Sequence, residues 1–548
     1  MSSIVATNDF DVVVVGSGLA GCAAALAAAD HGLRTVVLEK GALAGGKTAW
    51  SNGGMWIPGN DFARDAGIED SLEEAREYMR FLGAGFEVEA NLNAYVDGAN
   101  DALRYFSGLG LTFQLVRNVS DIYYGIHPGA KAEGRMVEVA LFPATELGEW
   151  RKNVRVSPYA QRRATFDEAV RWGGRGSFAG WDANLQAERE AVDARALGAG
   201  AVAAFIKALF DRGVDVELNA AAQRLVVEGG RVTGVVATVD GHERKLEARH
   251  GVVLAAGGYE NNAALVRDYE ELPLISQFPD LLTGDGLIMG AEIGAKVRAI
   301  TCVLAIFLGY EVPAGDGKPA SFRSAGTHEL PLPHSIVVNA AGRRFGDEAF
   351  FHKILNALRD FDVPTHRFTN LPCYFVFSGA FVEKYGFGGA GVGKVPAFVA
   401  RADRIEDLGA RLGIDPAGLA AEVQRFNGFA RTGTDEDFGR GELAWSRSYG
   451  GDARSANANL GTLEPPFYGV RLHPTGGASA GLLTNVDAQV VGQRGEPIEG
   501  LYASGDCSAH VDMGMGQQAG ISLGRMLIFG LAAARHMSRV GSAVRGSM

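Results

Sequence analysis

The chain has 548 residues, more than one hydrophobic core supports, so two or more domains are expected. Its 47% hydrophobic and 21% charged composition excludes a disordered chain. A net charge of −12 leaves no basic footprint for nucleic acid. The 75 glycines cluster between apolar runs, which implies tight turns and close backbone approach to a ligand rather than a linker. Cys22, Cys302, Cys373 and Cys507 lie far apart with no CxxC pair, against zinc spacing or a disulfide framework. The opening MSSIVATNDF lacks a basic segment followed by an apolar core, and no apolar run is long enough to span a bilayer. A cytoplasmic enzyme without a transmembrane segment is expected.

Residues 11–40 read DVVVVGSGLAGCAAALAAADHGLRTVVLEK: a β-branched run, a glycine turn, an alanine-rich helix and a second β-branched run. This order and length make a βαβ unit. Within it, Gly16-Ser17-Gly18-Leu19-Ala20-Gly21 follows the strand and opens the helix, and Glu39 ends the next strand. Gly16 permits the tight turn, Gly18 lets backbone approach a pyrophosphate, and Gly21 lets helix pack on strand. The helix N-terminus offers free N–H groups to phosphates, and the Glu39 carboxylate can hold a ribose hydroxyl pair. An acid at 39 disfavours a 2′-phosphate, hence NADP.

Further along, a helix near 196–212 precedes short strands around 214–218, 224–228 and 232–239, and GVVLAAGG at 251–258 runs from strand into turn. From about 298 prolines and aromatics increase and the βαβ rhythm is lost until about 455, which reads as an inserted domain. GLYASGD then returns to strand and turn, and AGISLGRMLIFGLAAARHM to a long helix. The expected division is 1–297 and 455–548 for a Rossmann-type FAD-binding domain and 298–454 for an inserted α+β capping domain that meets substrate, an α/β fold overall.

NAD and FAD share the first fingerprint. A second glycine cluster separates them: GALAGGKTAWSNGGMWIP, with Gly45-Gly46 and Gly53-Gly54 around Lys47, Thr48, Ser51 and Asn52. With LAAGGYENN, TGDGLIMGAEIGA and GLYASGD in this order, the chain resembles the fumarate reductase and 3-ketosteroid dehydrogenase group of FAD-dependent oxidoreductases, closer to the ketosteroid branch. The resemblance implies non-covalent FAD. Glu39, next to Lys40, would hold the adenosine ribose, and Gly46 to Gly54 would line flavin and pyrophosphate. Ala222 would use its backbone on the adenine. The turn Ala256-Gly257-Gly258, Asp285, and Gly505-Asp506 would lie along the cofactor. Gly520-Ile521-Ser522-Leu523 would face the flavin's pyrimidine end, where a helix N-terminus stabilises negative charge. No second GxGxxG follows a strand, so electrons are expected to exchange with an external acceptor or donor. Gly388-Gly389-Ala390-Gly391-Val392-Gly393-Lys394 imitates a P-loop, but Val395 stands where Ser or Thr would bind Mg²⁺, so a glycine loop over substrate is the better reading.

Two family chemistries compete for the reaction site. Ketosteroid dehydrogenases remove a hydride and a proton beside a ketone, with tyrosines as base and carbonyl polariser. Fumarate reductases run the other way with arginines and histidines. This chain matches neither: Gly516 stands where the dehydrogenase tyrosine falls, Gln517 at the reductase arginine, and Phe350-Phe351-His352 at the reductase proton donor. His473 in HPTGG resembles the reductases' substrate histidine, while Asp121-Ile122-Tyr123-Tyr124 with Gly134-Arg135 resembles the ketosteroid tyrosine loop. The catalytic candidates are therefore Tyr123, Tyr124, His352, His473 and the backbone of Gly520. Phe307, Tyr310, Phe345, Phe350, Phe351 and Phe375 suggest an apolar pocket. The leading expectation is desaturation of an apolar cyclic or steroid-like ketone. The alternatives are an ene-reductase acting on an enone or enoate with His473 and His352, and a flavin-binding protein without turnover.

Overall fold

A computed structural model describes residues 5–157, 163–172, 182–300, 307–315, 320–325 and 329–546. The four valines at 12–15 form the buried end of β1 (Val5–Val15). That strand pairs in parallel with β2 (Thr35–Leu38) and with β3 (His242–Leu254). Val12 and Val14 enter the core on one side of the sheet, Val13 and Val15 the core on the other. Both faces are covered, so the run is continuously apolar rather than alternating. Each such valine contributes about 1.5–3 kcal/mol of burial.

The path of this eight-stranded sheet is Gln489–Val491, Pro497–Ala503, β3, β1, β2 and Asp215–Glu217, with Arg231–Val239 and Ala220–Glu228 as an antiparallel extension from β3. Chain from both ends of the sequence thus shares one sheet. Helix α1 (Leu19–Asp30) is buried from Leu19 through Ala28. Its alanines admit the final helix closely: at Gly530 a Cβ would stand 3.1 Å from that of Ala23.

A second sheet of six strands forms over residues 307–475. It holds β4 (Phe307–Val312), β5 (Cys373–Ser378) and β6 (Phe467–Thr475); β6 pairs antiparallel with β4, β5 and Ala400–Ala402. The expected boundary at 454 therefore divides chain that shares this sheet. Alternation along Ser335–Asn339 and β5 fills two cores, one with Val337, Phe375 and Phe377, the other with Ile336, Tyr374 and Val376.

The six aromatics expected to form a pocket mostly do not. Phe375 and Tyr310 are fully buried core, Phe345 packs beside them, and Phe350 joins a separate cluster with Tyr449. Large rings in a strand with both faces covered have nowhere else to go. Among those described, Phe307 alone lines a cavity; the Phe351 side chain lies outside the described residues. Cys302 also lies outside them; Cys22, Cys373 and Cys507 are buried free thiols. No described helix is long and apolar enough to cross a membrane.

Candidate active site

A cavity of about 890 Å³ opens where the first sheet meets the second. The glycine motif forms one end. Gly16 has φ +106°, and a Cβ there would lie 2.3 Å from Ala255 O, just past the end of β3. A Cβ on Gly21 would lie 1.9 Å from Gly16 O, so Gly21 seats helix on turn and does not face the cavity. A Cβ on Gly18 would meet only Thr48 Oγ1, at 3.4 Å, leaving the space before the α1 N-terminus open. That opening is what a diphosphate needs.

The acid at 39 is in place. Glu39 is buried and accepts from Ser17 Oγ (2.5 Å) and from Gly41 N–H (2.8 Å); Ser17 Oγ in turn accepts from Gly45 N–H (2.9 Å). The Ser17 side chain thus ties the first glycine cluster to the second. Lys40 pairs with Asp285 at 2.7 Å and bonds Thr283. Lys47 Nζ binds Glu260 (2.7 Å) and Asp506 (3.0 Å) and lies over the Phe278 ring. Burial works against the charge of Asp506, but Lys47 and His510 outweigh it and hold the carboxyl well below the usual range.

Of the expected cofactor residues, Gly16, Ser17, Gly18, Leu19, Ala20, Glu39, Lys40, Gly46, Lys47, Thr48, Ser51, Asn52, Gly54, Ala222, Ala256, Gly257, Asp285, Gly505, Asp506, Gly520, Ser522 and Leu523 line the cavity. Gly21, Gly53, Gly258 and Ile521 do not. Gly53 is pressed against the Leu197 backbone and Gly258 against Ala478, while Ile521 is core: these positions allow close packing rather than ligand contact. Open space before α1, a buried acid at the end of β2 and a lined path to Gly520 fit FAD.

At the far end the final helix, α2 (Ile521–Gly546), begins after Gly520, whose φ of +84° and 2.8 Å Cβ approach to Trp56 N require glycine. The turn before it carries two glutamines. Gln517 Oε1 lies 2.9 Å from His352 Nε2, and His352 Nδ1 lies 3.2 Å from the Tyr123 hydroxyl. Gln518 Oε1 accepts from Ile122 N–H (3.0 Å) and from the Tyr78 hydroxyl (2.7 Å). An amide oxygen can only accept, so His352 carries its proton on Nε2 and takes the Tyr123 O–H at Nδ1. Burial lowers His352 to about 4, keeping the imidazole neutral, and raises the Tyr123 phenol to about 12. The loop bearing Tyr123 is pinned below by buried Arg135, which pairs with Asp70 (2.6 Å) and Asp121 (2.8 Å) under the Trp56 ring.

None of the four candidate catalytic side chains is among the cavity-lining residues: Tyr123 and His352 pack against Phe350, in the cluster that includes the lining residues Phe166 and Tyr449, and the other two fall elsewhere. Tyr124 is 39% exposed and is not among the cavity-lining residues. His473 sits on β6 opposite Gly309 with its ring toward Phe322, outside the cavity lining; the strand pairing directs it there. The histidine pair required by the reductase reading is not brought together. The glycine loop does reach the cavity: Gly386, Gly388, Gly389, Gly391 and Val392 line it. Several lining residues escaped the sequence reading. Phe166, Tyr449 and Arg155 come from segments without a motif, whereas Glu260, which holds the lining Lys47, stood two residues after Gly258 and was legible as an acid beside a glycine turn.

A cavity walled by the first glycine turn, Glu39, Lys47, Asp506 and the Gly520 turn is the site of an FAD-dependent oxidoreductase. The family model for an FAD binding domain matches residues 11–523, and the chain belongs to that family, on its ketosteroid dehydrogenase side. It is 33% identical to the 3-oxosteroid 1-dehydrogenase of Mycobacterium tuberculosis, over 97% of this chain and 98% of that protein. It is 34% identical to the 4-oxocyclohexanecarboxylate 2-dehydrogenase of Sinomonas cyclohexanicum, over 96% and 92%. The crystal structure of 3-ketosteroid delta1-dehydrogenase from Sterolibacterium denitrificans, in complex with 1,4-androstadiene-3,17-dione, superposes with a TM-score of 0.89 at 32% identity, covering 97% of this chain and all of that one.

Proposed function

We propose that the protein desaturates the carbon–carbon bond beside the ketone of a cyclic substrate. The observation that carries this reading is the Tyr123–His352–Gln517 chain, which packs against Phe350 beside the lining residues Phe166 and Tyr449 and ends three residues before the lining Gly520. FAD supplies the hydride acceptor when bound. Tyr123 takes the proton from the carbon next to the carbonyl as its own passes to His352 Nδ1, so the phenol never has to ionise against its raised pKa. Gln517 fixes the tautomer that leaves Nδ1 free to accept. The carbonyl oxygen rests at the Gly520 turn, where the α2 N-terminus favours developing negative charge. The relatives' names support a ring ketone, steroid or cyclohexanone, and an external acceptor takes the electrons onward.

Anaerobic mixing of holoenzyme with 3-oxosteroids and substituted cyclohexanones tests this. Bleaching of the flavin absorbance and appearance of the conjugated enone are expected with at least one. A reduced enzyme that is reoxidised by enones, yet is never reduced by any saturated ketone, would reverse the assigned direction.

A further inference from the structure

Five cationic side chains of the described residues line the cavity, and four face a carboxylate. Lys40 has Asp285 at 2.7 Å, Lys47 has Glu260 at 2.7 Å and Asp506 at 3.0 Å, Arg323 has Glu329 at 3.7 Å, and Lys384 has Asp452 at 2.7 Å. The fifth, Arg155, has no carboxylate at ion-pair distance among the described residues, and its Nε is buried with no hydrogen-bond partner. A half-buried guanidinium without an anion is costly, and its planar fork of donors suits paired oxygens of phosphate or carboxylate.

Its root lies beside the phosphate end. Val154 bridges Ala44, Arg155 N donates to Ala44 O at 2.8 Å, and the Arg155 Cβ lies 3.7 Å from where Gly45 would carry its own. Gly45 N–H is tied to Ser17 Oγ at 2.9 Å, and a Cβ on Gly46 would stand 3.8 Å from Gly18 Cα. Arg155 therefore rises from the side of the glycine pair that abuts the open N-terminus of α1. A bound FAD brings two negative charges to that N-terminus, where the neighbouring lysines are already neutralised.

We propose that Arg155 binds the FAD diphosphate, a cofactor-binding residue supplied from outside every glycine motif of the chain. The inference rests on FAD being the cofactor and is independent of the substrate assigned above. Charge-assisted hydrogen bonds of this kind are strong enough for their loss to weaken binding about tenfold to a hundredfold.

The test uses holoenzyme carrying Arg155→Gln and Arg155→Lys. FAD affinity is measured by dilution and ultrafiltration at several salt concentrations, and the bound diphosphate is observed by ³¹P NMR. Arg155→Gln is expected to raise the Kd for FAD about tenfold to a hundredfold, flatten its salt dependence and move the diphosphate resonances, with Arg155→Lys recovering part of the loss. Riboflavin, which has no phosphate, should bind both forms alike. Unchanged FAD affinity and resonances, with KM rising only for a ketone bearing a carboxylate, would overturn the proposal and give the anion to the substrate. Equal weakening of riboflavin would make Arg155 structural. If neither variant folds, a crystal structure of the wild-type holoenzyme decides: a guanidinium out of hydrogen-bond reach of both phosphates sinks the idea.

Discussion

Tyr123 and His352 pair through the tautomer that Gln517 Oε1 selects by accepting from His352 Nε2. Tyr123→Phe removes the proton carrier and His352→Ala the group that relieves it. Each is expected to slow flavin reduction by ketone about 10²- to 10⁴-fold with flavin content unchanged. The double variant should be little worse than either, since the two act as one unit. Stopped-flow absorbance measures this, and fully additive losses would separate their roles. The same histidine gives a pH effect. His352 titrates near 4 when folded against 6.5 when exposed, so between those values the unfolded chain holds a proton that the folded chain refuses. Its stabilising contribution is complete above pH 6.5 and is lost as the pH falls toward 4. Wild type should therefore lose about 1–3 kcal/mol more than His352→Asn between pH 7.5 and pH 5, read from urea unfolding.

The glycines divide by what surrounds them within each element. In α1, a methyl on Gly21 would strike a backbone carbonyl that cannot move aside. Gly21→Ala is expected to cost about 1–3 kcal/mol and to release FAD, measured by thermal melting and flavin fluorescence. In the helix Pro416–Thr432, Gly428 has nothing within 4 Å of a would-be Cβ. Gly428→Ala should stabilise by about 0.5–1 kcal/mol and leave turnover alone. The loop at 386–393, exposed from Gly389 onward, takes its shape from its glycines. A Cβ on Gly389 would lie 2.6 Å from the Arg323 guanidinium, and Arg323 stands beside buried Glu329, a carboxyl that burial raises and Arg323 lowers in part. Glycine is needed there because five of its positions have positive φ.

At the scale of the molecule, the cavity lies between two sheets, so a ligand that fills it couples them. FAD at a hundred times its Kd should stabilise the fold by about 2.7 kcal/mol. Deflavinated protein is thus expected to melt several degrees below holoenzyme, with the gap widening as FAD is added; calorimetry of both forms checks this. A gap that ignores FAD concentration would mean the cavity is not the binding site.

The sequence by itself determined the cofactor half of this protein. Strand, glycine turn, alanine helix and terminal acid are local features, each dictated by sterics within a few residues, and Gly16, Gly18, Gly21 and Glu39 occupy the places such sterics assign. The second glycine cluster and the Gly520 turn were legible for the same reason. The reaction half was not, because proximity between distant segments leaves no local signature. Tyr123 and Tyr124 are equivalent as letters, and only the packing of loop 121–135 on Arg135 turns one inward and the other to solvent. His473 carried a motif yet follows the pairing of β6 away from the cavity, while Arg155 carried none and reaches it through one bridge to Ala44. Backbone conformation is set by neighbours in the chain; which side chains meet over a cavity is set by how two sheets pack, and only the tertiary structure decided that.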